Sequence, residues 1–118
     1  MALTTDFTGT YDYEAYEARQ AADYILEHLA CGEIKNTTQL ANRIELEAKH
    51  WQSILTDTYA DFELHFNQYI NQGLINLYVE YVKNIDSLDI DQGLLDLSCL
   101  IVNALDSRNL EHVYRNEA

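Results

Sequence analysis

Glu47 and His50 stand at the Glu-x-x-His spacing, which on a helix turns a carboxylate and an imidazole to the same side. Di-iron helical bundles use that spacing to hold metal, but they need a second copy and two further carboxylates. The chain has no second Glu-x-x-His. Without metal, the two residues are expected to be solvated or to cap a helix break. Asp57, Asp61 and His65 follow one another at intervals of four. Paired carboxylates can divide acid and base roles when their environments differ, yet these three lie on the flank of an apolar stripe and read as a solvated edge. Glu63 lies close to His65, but no serine or cysteine nucleophile motif accompanies it. The chain also lacks a Gly-x-Ser-x-Gly turn, a phosphate-cradling glycine loop and a His-Glu-x-x-His pair. The expectation is a protein that is not an enzyme, with no catalytic residues, no cofactor and no metal site.

The carboxylates matter instead as a population. Twenty Asp and Glu face seven Lys and Arg over 118 residues, a formal charge of −13. The excess is even along the chain: 10 acids against 4 bases in residues 1–59, and 10 against 3 in residues 60–118. It therefore belongs to the fold and is not an acidic tail. Such a charge repels nucleic acid and attracts proteins that bind nucleic acid. Dense like charge also destabilises the compact state, which suggests a compensating role in binding a basic surface; solubility alone is the plainer alternative.

The elements that must position these groups read as helices. An apolar fraction of 47%, no proline and four scattered glycines argue for one folded helical domain without linkers. Residues 1–11 and 116–118 are expected as loose ends. The first helix is expected from Asp12, as N-cap, to Cys31, with Gly32 ending it. Ala15, Ala18, Ala22, Ile25, Leu26 and Leu29 share its core face. Tyr13, Tyr16, Glu17, Gln20, Asp23, Tyr24 and Glu27 then face outward, and tyrosine favours protein interfaces because it brings large area with few rotors. Asn36 and Gln39 resemble a capping box. One apolar face runs from Thr37 through Leu40, Ile44, Trp51, Leu55 and Phe62 to Tyr69, as one long helix or as two broken near Lys49-His50. A shorter amphipathic segment spans Leu74 to Ile85. Asp91 caps a last strong helix, Leu94 to Leu105, which is apolar on two sides.

A helix apolar on two sides is central in its own domain or shared with a second subunit. The second face, Leu97, Leu100 and Ala104, is expected to be a homodimer interface. Cys31 and Cys99 match no metal or redox spacing and are expected as buried free thiols. No segment has the length of a membrane span, and the start lacks the features of a signal peptide, so a cytoplasmic location is expected.

The run Ile34-Lys35-Asn36-Thr37-Thr38-Gln39-Leu40, followed at a distance by Tyr59-Ala60-Asp61-Phe62, resembles the overcome-classical-restriction family of phage DNA mimics. The likeness covers about a third of the chain. It implies a small acidic helical dimer that occupies the DNA groove of a restriction enzyme. The chain departs from the family in lacking an acidic C-terminal tail and in being less extreme in charge.

The sequence therefore leads to an all-α fold of four to six helices, with Trp51, Leu55, Phe62, Phe66, Ile101 and Leu105 in the core. The expected function is inhibition, of the anti-restriction or anti-CRISPR type, of a basic DNA-binding protein or nuclease complex of the host. Tyr13, Tyr16, Glu17, Asp23, Tyr24, Glu27, Glu33, Asp57 and Asp61 are the expected partner-binding residues, with no direct binding to nucleic acid or membrane. The alternative is a helical adaptor that docks its partner on tyrosine and apolar surface.

Overall fold

Three alanines and two larger aliphatic side chains on one stripe let the first helix, α1 (Tyr13–Ala30), bury Ala18, Ala21, Ala22, Ile25 and Leu29. The computed structural model describes residues 13–83 and 91–115. Asp12, expected as the first cap, and Ile85, expected to end the Leu74 segment, lie outside those residues. Gly32 ends the α1 turn at φ +92°, a left-handed conformation that costs glycine little. Ile34 then drops into the core.

Helix α2 (Thr37–Ile54) begins at the expected cap: Asn36 Oδ1 accepts from the Gln39 N–H at 2.8 Å. The reciprocal bond goes one residue further back than in the standard box, from the Lys35 N–H to Gln39 Oε1 at 2.8 Å. The long apolar face proves to be two helices. The break falls at residues 55–58 rather than near Lys49-His50, and α3 (Tyr59–Leu77) follows. Gly73 does not interrupt α3, which continues into a π-helix, Tyr78–Lys83. Asp91 Oδ1 accepts from the Leu94 N–H at 2.8 Å and starts α4 (Gln92–Ser107). A single turn, α5 (His112–Arg115), closes the described chain. The described residues are all helix and connection, so the fold is all-α.

Helix α3 is the axis of this arrangement. Phe62, Phe66, Ile70 and Leu74 are fully or almost fully buried along it. Helix α1 packs mainly on α3 and runs in the same direction, with Leu26 seated opposite Gly73. A Cβ at position 73 would collide with Leu26 Cδ1, so glycine permits this close approach. Helix α2 returns antiparallel to α1, bringing Trp51 to Tyr13 and Arg43 to Tyr24. Trp51 is half-buried, not central: it stacks on Phe62 at 5.3 Å, and its indole N–H donates to Glu47 Oε2 at 3.0 Å. Leu55, Phe62, Phe66, Ile101 and Leu105 occupy the core as expected. Arg108, at the end of α4, donates to Asn71 Oδ1 and Asn67 Oδ1 at 2.5 and 2.7 Å, tying α4 to α3.

Most of the face expected to pair two copies is covered within the chain itself. Leu100 is 7% exposed and Ala104 fully buried within the chain's own core, and Leu97 is half-buried. Helix α4 is apolar on two sides because it lies among α2, α3 and the π-helix. Both cysteines are exposed, also against expectation.

Candidate functional site

The outward face of α1 is where the periodicity puts it. Tyr13, Tyr16 and Tyr24 are 42%, 48% and 53% exposed, and Asp23 and Glu27 are exposed while Glu17 is half-buried. These residues do not form one uniform surface. Tyr13 meets the edge of Trp51 at 6.4 Å, and Tyr24 lies against His28 with the Arg43 guanidinium 5.7 Å above its ring. Arg43 Nη2 also donates to His28 Nδ1 at 2.9 Å. Two of the three tyrosines therefore already support the α1–α2 seam.

Asp23 and Glu27 face the other way, toward the π-helix. With Glu80 and Tyr81 they frame a shallow groove of about 310 Å³, floored by Leu26, Ala30 and Leu77. Three carboxylates around an open aliphatic patch suit a long cationic side chain: its methylenes lie on leucine and its head group reaches the acids. The Tyr81 phenol is pushed up, first by burial and then by the charge of Glu80 and its hydrogen bond to it. It remains a neutral donor at the carboxylate row. Helix α1 contributes its two acids one turn apart, at positions 23 and 27. Glu80 and Tyr81 escaped the sequence reading. A run of three acids on two elements has no signature in the chain, since the pairing of α1 with the π-helix is tertiary.

The remaining expected site residues lie elsewhere. Tyr13 is about 21 Å from Glu27 along the helix axis, from the rise of 1.5 Å per residue. Asp61 is in the first turn of α3, while Asp57 is in the connection before it and shares no helix face with Asp61. Since Trp51 joins Tyr13 to Phe62, both aspartates belong to the end of the molecule where α1 begins. Glu33 lies in the turn after α1, 3.9 Å from His28 Nδ1 and 3.7 Å from Cys31 Sγ. Glu47 is taken by Trp51, and His50 is exposed with its ring edge-on to the same indole. Among the described residues no group of three metal-ligating side chains comes together.

Four of the seven lysines and arginines do little to neutralise this surface. Arg19 is 3.8 Å from Asp23 and Lys49 3.5 Å from Glu45, both on open helix faces where such pairs are worth only tenths of a kcal/mol, on the order of 0.3–0.5. Arg43 is held by His28 and Tyr24, and Arg108 by two asparagines, with burial lowering its guanidinium pKa. Of these four bases, only Arg19 and Lys49 stand beside an acid, and they do so on open surface. No helix among the described residues is long and apolar enough to cross a membrane. No protein-family model matches the chain, and neither the curated proteins nor the solved structures contain a match.

Proposed function

We propose that this chain is an acidic inhibitor that occupies the nucleic-acid-binding surface of a basic partner protein. It would present carboxylates on rigid helices where phosphates would otherwise lie. The observation that carries the reading is the groove in which Asp23, Glu27 and Glu80 surround Leu26, Ala30 and Leu77. A lysine or arginine of a DNA-binding surface is matched there both in charge and in its aliphatic stem. Fixed helices limit the conformational entropy lost on binding, and the wider −13 field accelerates encounter with a basic partner. A restriction enzyme and a CRISPR nuclease are equally suitable targets, and a phage or mobile element is the natural source of such an inhibitor.

The adaptor alternative would dock a partner on tyrosine and apolar surface. Tyr13 and Tyr24 are engaged by α2, and the exposed Leu46, Ile54, Leu64, Val79 and Leu95 are spread over four elements. Both observations favour the electrostatic reading.

The test is capture of the partner from host lysate at low salt, followed by measurement of its DNA occupancy with and without this chain. Occupancy should fall as the inhibitor is added, and affinity should weaken as salt screens the approach beyond ~8 Å at physiological ionic strength. Replacing Asp23→Asn, Glu27→Gln and Glu80→Gln together should reduce affinity by about tenfold or more, since charge-assisted contacts are worth ~1.5–3 kcal/mol each. Unchanged DNA occupancy at saturation, or an affinity indifferent to salt, would remove the mimicry reading and leave the adaptor.

A further inference from the structure

A second cavity among the described residues, larger than the acidic groove, lies away from it. It is a cleft of about 630 Å³ between the turn that follows α1 and the first half of α4. Leu29, Ile34 and Leu100 form its buried floor, while Leu94 and Leu97 are only half-covered. The chain has two cysteines, 68 positions apart. The fold brings both to the walls of this one cleft, Cys31 on the turn and Cys99 on α4, and both are exposed. Unpaired cysteine is ordinarily among the most buried of residues, so two exposed thiols bordering the same cavity call for a chemical reason. The α2 cap Asn36 also lines the cleft, with Lys35 and Asp96 as its charged groups.

We infer that Cys31 and Cys99 are a dithiol that oxidises to an intrachain disulfide, closing the cleft. Cys31 belongs to the turn that Gly32 closes, and its thiol makes two long contacts, to the His28 carbonyl at 3.6 Å and to Glu33 Oε2 at 3.7 Å. Cys99 stands on α4 between the buried Ser98 and Leu100, and Leu94 and Leu97 are half-covered earlier in the helix. A disulfide needs Cα atoms within about 7 Å, so the bond, once formed, holds the two walls within that reach. Glutathione disulfide serves as oxidant. The Cys31 thiolate attacks one of its sulfurs, forming a mixed disulfide and releasing one glutathione thiolate. The Cys99 thiolate then attacks the Cys31 sulfur and expels the second glutathione. Two protein thiols lose two electrons and two protons, and one glutathione disulfide becomes two glutathione thiols.

The experiment is incubation of the full chain with glutathione disulfide, followed by intact mass, thiol alkylation and non-reducing peptide mapping. The expected product is a monomer lighter by two hydrogens, with no alkylatable thiol and a Cys31–Cys99 linked peptide. Its Tm should rise by about 5–15 °C, because the bond closes a long loop of the unfolded chain. Cys99→Ser should instead stop at one glutathione adduct on Cys31, without the rise in Tm. Two glutathione adducts per chain, a disulfide between chains, or thiols that remain free would each overturn the inference. The linked peptide from the unaltered protein decides the matter even if a serine variant folds poorly.

Discussion

The α1–α3 seam and the α2 flank are built from the same kind of amphipathic helix but are held in different ways. On the seam, α1 and α3 between them bury nine apolar side chains, and Gly73 leaves room for the Leu26 side chain. On the flank, α2 buries only Leu40 completely, and Ile44, Ala48 and Trp51 are partly covered. Aromatic contacts and one guanidinium do much of the holding there: Trp51 on Phe62 and Tyr13, Arg43 on Tyr24 and His28. The acidic groove belongs to the seam side and inherits its rigidity. The tyrosines that read as an interface belong partly to the flank, where they support the fold.

The largest effect that separates the two regions should come from Phe66→Ala. Phe66 is 1% exposed in α3, and such a truncation costs about 3–5 kcal/mol through lost transfer energy and the cavity left behind. Urea denaturation should show a large fall in midpoint. A change below about 1 kcal/mol would mean that the seam is not the stability centre. A smaller effect is expected from Asn36→Ala, which removes the α2 cap and should cost about 1 kcal/mol. Hydrogen exchange should then accelerate in the first turns of α2 and leave α1 and α3 unchanged. Uniform acceleration would erase the distinction between seam and flank.

The smallest effect is a drift at high pH. The Tyr59 phenol, between flank and seam, is pushed above its ordinary value of 10.0 by burial, and then by the charge of Glu63 and its hydrogen bond to it. A group whose folded pKa lies above its unfolded one contributes stability in full below the unfolded value. That contribution is lost as pH rises through the folded value. Stability should therefore decline above pH 10, and Tyr59→Phe should flatten part of the decline. A variant whose profile is as steep as the parent's would show that Tyr59 plays no part.

Much of this was legible in the chain because helical periodicity and caps are local. The Asn36 and Asp91 caps and the division of α1 into buried and open faces all follow from neighbours within one or two turns. The break between α2 and α3 was not legible, because Leu55 and Tyr59 keep the apolar spacing of four across it. The two-sided α4 was misread as a dimer face, since a sequence shows that a helix is covered on both sides but not by what. The groove was half legible: α1 announces Asp23 and Glu27, but only packing against the π-helix adds Glu80 and Tyr81.

Gly73 carries no charge and lies beneath the rim of the groove, yet it acts as a gauge for it. The hydrogen that stands where other residues have a Cβ sets how near the Leu26 side chain comes to α3, and with it the shape of the groove's floor. A methyl group there would turn Leu26 aside, since only its Cγ and Cδ atoms stand in the way. A cation entering the groove would then meet a different floor between the same three acids. Selection for a partner that reads that floor would therefore act on a silent position, where a substitution leaves the net charge at −13 and alters the surface on which it is presented.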